Sequence, residues 1–178
     1  NTFRRAYQLG FREQDFLLNY ATALCKGGWT SQSVEIYTEI LARHPDHAGA
    51  LRGRSRAQLN IALRGRRQVS PKALDDAAAD VRLNPDSLEA LGNAAELFGY
   101  AAACDPSNEA LRLQGRDYLR RALKLGLTKR MYKLAQSKLQ SLHDDEIETL
   151  LAHAPEDSGD RFDANPPGQL PQSIEWVA

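Results

Sequence analysis

One helix-ending pattern occurs twice in this sequence, at Pro45 and at Pro85. Each proline follows an amphipathic segment and precedes an aspartate, and a new amphipathic segment begins soon after it. Because proline cannot continue a helix and restricts the residue before it, each proline is predicted to end one helix. The next helix is expected to begin at the capping positions that follow, Asp46-His47 and Asp86-Ser87. A chain with this pattern is predicted to fold as a series of helix pairs.

The first helix pair is about 32 residues long, from Gln14 to Pro45. Gly27-Gly28 marks the turn between its helices, and apolar residues recur on both sides of the turn at the spacing of one helical face. These residues are Leu17, Tyr20, Ala21 and Leu24 in the first helix, and Ser33, Tyr37 and Ile40 in the second. A hydrophobic content of 42% with 26% charged residues is typical of a folded chain.

This helix pair resembles the tetratricopeptide repeat, a hairpin of roughly 34 residues with large, small and aromatic residues at fixed positions. It lacks the leading Trp of that pattern and has Ser33 and Ile40 where Ala is usual. A second unit closes at Pro85, and its surplus residues fall in a lengthened inter-helix segment at 63–70. Within that segment Ser70 is predicted to cap the helix that follows.

The resemblance extends through a third unit, which is interrupted near 104–108 and resumes to about Leu127. Two shorter helices are predicted after it, ending near Leu151. The implied fold is all-α, a right-handed superhelix of α-α hairpins, with an irregular helical bundle as the alternative. Its expected parts are the second helix of a truncated preceding repeat, the repeat domain, and a flexible, acidic, proline-rich tail, at 1–13, 14–155 and 156–178. The half-hairpin at the start favours a fragment of a longer protein.

The resemblance implies that the first helix of each pair lines a concave groove that binds a peptide or protein partner. Asparagine at the positions of Asn19 and Asn93 commonly hydrogen-bonds a peptide backbone, because its amide both donates and accepts. The family's Lys/Asn/Arg clamp for a terminal carboxylate is absent, although Arg52 and Arg56, one turn apart, remain suited to a carboxylate. The groove residues carried over are Asn19, Thr22, Lys26, Arg52, Arg56, Asn60, Asn93, Glu96 and Tyr100.

Two other functions remain open. One is a structural spacer or oligomerisation segment, and the other is a regulatory C-terminal region of a larger, enzymatic protein. For the chain itself we predict no enzymatic activity, cofactor or metal site. His44 and His47 straddle Pro45 and so cannot share a helix face as metal ligands do. Cys25 and Cys104 have no partner at ligand spacing and are expected to be buried small apolar residues.

Charge is balanced overall, at 23 basic and 23 acidic residues, but it is unevenly distributed. Six arginines lie within 52–67, with no acidic residue between His47 and Leu74. Since no aromatic residue accompanies them as a stacking platform, nucleic-acid binding is not favoured. A solvated face or a contact for the tail is expected instead. The tail has one arginine against five acidic residues, and it is a candidate to occupy the groove or, with the open repeat ends, to mediate self-association. No apolar stretch is long enough to cross a membrane, so a soluble protein with no membrane partner is predicted. Its expected localisation is cytoplasmic.

Overall fold

The computed structural model describes residues 2–156, which form helices joined by short loops and contain no β-strand. The predicted all-α class is therefore confirmed for this part of the chain. The predicted tail begins at Glu156, and its residues 157–178 lie outside the described part. The helices are α1 (Thr2–Gln8), α2 (Gln14–Lys26), α3 (Thr30–Arg43), α4 (Ala48–Gly65), α5 (Pro71–Leu83), α6 (Leu88–Cys104), α7 (Glu109–Lys124), α8 (Lys129–Leu139) and α9 (Asp145–His153), with a short 3-10 helix at Gln140–Leu142.

The capping residues expected from the sequence do begin the helices. His47, Ser70 and Ser87 precede α4, α5 and α6, and each side chain accepts a hydrogen bond from the backbone N–H three residues later, at 3.2 Å. These bonds satisfy N–H groups that have no partner within the helix. Arg66 ends α4 in the left-handed conformation, with φ of 48°, a position that usually favours glycine.

Consecutive helices from α2 to α7 pack against each other in chain order. In addition, α2, α4, α6 and α8 contact one another in that order and form a row, here called the helix row. Within residues 2–156, the extensive contacts join helices that are one or two places apart along the chain. Helices α3 and α4 approach closely at Gly53, where a Cβ atom would stand 2.7 Å from the Tyr37 hydroxyl oxygen.

Two clusters of buried apolar side chains form the core, and they meet along α4. The N-terminal cluster joins α2 and α3 to the start of α4, including Ala50 and Leu51. The C-terminal cluster begins at Leu59 and Ala62 in the same helix and continues through α5, α6 and α7 to α9. Helix α4 therefore contributes to both clusters.

Two ion pairs join α4 to α5 between these clusters. Arg54 donates to both carboxylate oxygens of the buried Asp76, through Nε at 2.7 Å and Nη2 at 2.9 Å. Arg52 donates in the same two-pronged way to the buried Asp80, at 2.7 and 3.2 Å. Such contacts satisfy the charge of carboxylates that are removed from water.

Helix α1 is attached to α2 and α3 mainly by aromatic side chains. The ring centres of Tyr7 and Tyr20 are 5.4 Å apart, and the Arg12 guanidinium lies 3.6 Å from the centre of the Tyr7 ring. The Tyr7 hydroxyl donates to Glu39 at 2.8 Å. These contacts fix α1 at the N-terminal end of the described helices.

Candidate functional site

The residues predicted to line a groove lie on helices of the helix row, and cross-helix contacts bring several of them together. Asn60 of α4 faces Cys25 of α2, with the amide nitrogen 3.9 Å from the sulfur. Arg52 of α4 forms an ion pair with Glu89, at the start of α6. Neighbouring helices of the row thus place these polar side chains next to one another. We call the solvent-accessible side chains of α2, α4 and α6 along this row the row surface.

Arg52 near the start of α4 is already held by two carboxylates. Besides its two hydrogen bonds to Asp80, its Nη1 pairs with Glu89, whose side chain is largely exposed. The hydrogen bonds to Asp80 raise the pKa of the Arg52 guanidinium, so it stays charged at any physiological pH. Arg52 therefore supports the structure, and only its partly exposed edge remains available to a ligand.

Asn93 lies where a peptide cannot reach it. Its side chain is only 3% exposed, and its amide nitrogen donates to the hydroxyl oxygen of Ser55 at 2.9 Å. This bond joins α6 to α4 inside the row. The expectation that Asn93 hydrogen-bonds a ligand backbone does not agree with this position. The alanines and leucine around it in α6 are buried as well, so this part of the helix faces the core.

Three further predicted residues also make contacts within the fold. Thr22 donates to the Leu18 carbonyl at 2.9 Å and lies 3.2 Å from the Tyr37 hydroxyl, whose pKa is raised by burial. Glu96 forms an ion pair with Lys138 and so connects α6 to α8. The Tyr100 hydroxyl donates to the Arg67 carbonyl at 3.1 Å and secures the segment after α4.

Three predicted residues remain exposed on the row surface: Asn19, Lys26 and Arg56. Among residues 2–156, no carboxylate pairs with Lys26 or Arg56. Lys26 directly follows Cys25, which contacts Asn60, and Asn60 is one helical turn from Arg56. Lys26 and Arg56 therefore lie on neighbouring helices near the contact of Cys25 with Asn60, and their charge is open to a ligand.

The arginine-rich segment is not the uniformly solvated face that its sequence indicates. Arg52 and Arg54 are used inside the fold, where they pair with Asp80 and Asp76. Arg56 and the arginines at 64, 66 and 67 are exposed. The expectation that both cysteines are buried is also wrong, since Cys25 and Cys104 are each partly exposed.

A separate cleft of about 310 Å³ lies between α3 and the end of α4. Its lining includes Val34, Ile61, Ala62 and Arg67, so its wall is largely apolar with one cation at the rim. None of the described helices is both long and apolar enough to cross a membrane.

No known protein-family model matches the chain, and no curated protein matches its sequence significantly. The fold class and the row surface therefore rest on the residues and contacts described above.

Proposed function

We propose that this chain is a helical-repeat scaffold, similar to tetratricopeptide arrays, that binds a peptide segment of a partner protein along the row surface. The single observation that carries the proposal is the stacking of α2, α4, α6 and α8 in one row. A row of neighbouring helices presents side chains from successive hairpins to one extended ligand.

The charge on the row surface favours an acidic peptide. Lys26 and Arg56 are exposed cations with no carboxylate partner in residues 2–156, whereas the acidic Glu96 is neutralised by Lys138. Ligand carboxylates near the contact of α2 with α4 would gain charge-assisted hydrogen bonds from these cations. Asn19 on α2 and Asn60 on α4 add amide groups that can donate and accept, as an extended backbone requires.

The proposed role is binding rather than catalysis. On the row surface the polar groups of Arg52, Glu96 and Tyr100 are engaged by neighbours, which suits a rigid surface for recognition. A structural spacer is the competing function, and it requires no ligand on this surface.

Selection from a random peptide library tests the proposal directly. We expect the immobilised chain to enrich peptides that carry Asp or Glu, with affinity that falls as salt concentration rises. Loss of both cations in K26A/R56A should weaken binding of an enriched peptide about tenfold, since two exposed ion pairs contribute up to about 1 kcal/mol each. The matched control is R82A, which removes an exposed arginine from α5.

Enriched peptides without acidic residues, or equal binding by K26A/R56A and R82A, would contradict the acidic-ligand proposal. Failure to enrich any peptide would favour the spacer.

A further inference from the structure

Helix α8 is the last member of the helix row, and one of its faces is not covered by any described helix. Helices α4 and α6 each contact a row helix on both sides, whereas α6 is the only other α-helix of residues 2–156 in extensive contact with α8. Ala135 and Leu139 of α8 are buried on the covered side. Met131, one turn before Ala135, lies at the edge of the covered side and is 43% exposed, and Leu134 next to it is 78% exposed. These two residues are three positions apart and so share one face.

The charge of α8 is of one sign. The helix contains four cations, Lys129, Arg130, Lys133 and Lys138, and no acidic residue. Lys133 is exposed beside Leu134 on the uncovered face. We call Met131, Lys133 and Leu134 the outer face of α8. A segment that covers this face needs apolar side chains together with negative charge.

Residues 157–178 have this composition. They contain four acidic residues and a single arginine, at Asp157, Asp160, Arg161, Asp163 and Glu175. They also contain large apolar side chains, namely Phe162, Leu170, Ile174, Trp176 and Val177. The segment therefore complements the outer face of α8 in both charge and hydrophobicity.

The described chain also ends beside α8. The carbonyl oxygen of Pro155 accepts a hydrogen bond from the Lys129 backbone N–H at 2.8 Å, and that of Glu156 accepts one from the Arg130 N–H at 3.4 Å. The Glu156 carboxylate pairs with the Lys129 ammonium at 2.7 Å. The described part of the chain therefore ends beside the first turn of α8.

Residues 157–178 are long enough to reach along the whole of α8. Helix α8 has 11 residues and is about 16 Å long, whereas the following 22 residues reach up to about 70 Å when extended. Because the segment is tethered at the edge of the surface, its local concentration there is high, in the millimolar range for a short flexible link.

We propose that residues 157–178 bind the outer face of α8 in the same molecule. The grounds are the uncovered face of α8, the complementary composition of the segment, and the end of the described chain beside α8. Apolar side chains of the segment cover Met131 and Leu134, and its carboxylates lie near Lys133. This contact covers the exposed side of the last helix in the helix row. It does not rest on the proposed peptide binding, because that binding uses α2 and α4.

Tryptophan fluorescence tests the contact, because the chain has only two tryptophans, Trp29 and Trp176. The W29F protein reports on Trp176 alone, and W29F/W176F/F162W reports on the start of the segment. We expect at least one of these probes to be quenched by acrylamide several-fold less than the same residue in a free peptide of residues 157–178. Adding L134E should raise the quenching to the level of the free peptide, and K133E should raise it in part.

The control substitution is L83E, which changes an exposed leucine on α5, away from α8. Circular dichroism and thermal unfolding establish that each variant is folded. Quenching of both probes at the free-peptide level in the parent protein would overturn the proposal, as would protection that L134E leaves unchanged. Protection that appears only as protein concentration rises would also overturn it, because the occupant would then be a second copy of the chain.

Discussion

The buried ion pair between Arg54 and Asp76 provides a quantitative test of how α4 and α5 are held together. Replacing Asp76 with alanine removes two charge-assisted hydrogen bonds, at 2.7 and 2.9 Å. It also leaves the Arg54 guanidinium without a carboxylate in a position where the side chain is only 8% exposed. Removing one partner of a buried pair costs about 3–5 kcal/mol, because the other charge remains desolvated.

We therefore expect D76A to lower the free energy of unfolding by about 4 kcal/mol, and the melting temperature by about 10 °C for a chain of this size. Urea denaturation followed by circular dichroism measures the first quantity, and a thermal scan measures the second. The double variant R54M/D76L removes both charges and retains apolar volume. It should recover to within about 1 kcal/mol of the parent protein.

The matched control is K72A. Lys72 also pairs with Asp76, at 3.2 Å, but its own side chain is 61% exposed, so its loss should cost less than about 1 kcal/mol. The reasoning is refuted if D76A costs no more than K72A, or if R54M/D76L is as unstable as D76A.

Two more predictions concern packing and pH. Gly53→Ala should destabilise the protein by about 1–3 kcal/mol, because the new Cβ overlaps the Tyr37 ring. Gly92→Ala should instead stabilise α6 by about 1 kcal/mol, because no atom lies within 4 Å of its new Cβ. Urea denaturation of both variants checks the difference in sign. Burial raises the pKa of Tyr37 above its ordinary value of 10.0, so the unfolded chain ionises first and the free energy of unfolding should fall as the pH rises above 10.0. Tyr37→Phe should make that fall shallower in urea titrations across this range, and an unchanged slope would show that Tyr37 does not contribute.

Helix positions could be predicted from the sequence because proline and capping residues act locally. The ends of the helices before Pro45 and Pro85 and the cap at Ser70 depend on a few neighbouring residues, and each is confirmed. The last predicted helix pair was less regular, since α8 gives way to a 3-10 turn at Gln140. The right-handed superhelix stays a prediction, as do the groove and its ligand.

The pairing partners of the arginines could not be predicted, because they depend on how α4 and α5 are aligned after the long connection at 63–70. One signal was present in the sequence. Asp76 and Asp80 are four residues apart in α5 and adjoin the apolar stripe formed by Ala73 and Ala77, so they are buried with it. Carboxylates in such positions require cations.

The position of Asn93 was mistaken for a related reason. Its place in the repeat pattern indicates which helix carries it, but the rotation of α6 against α4 decides whether its amide meets solvent or Ser55. A rotation of this kind depends on the volume of every side chain between the two helices, including the alanines of α6. The pattern of residues along one sequence does not indicate how far α6 is rotated against α4.

The two apolar clusters meet along α4, and the contacts with α5 at that point include the ion pairs of Arg52 and Arg54. Apolar side chains tolerate small sliding movements, whereas a two-pronged guanidinium–carboxylate contact forms at only one mutual orientation. The mutual alignment of α4 and α5 at this point is therefore fixed by four side chains. Substitutions that repack either cluster will leave this alignment in place, whereas lysine at either arginine position will loosen it, because an ammonium group cannot reproduce the planar contact.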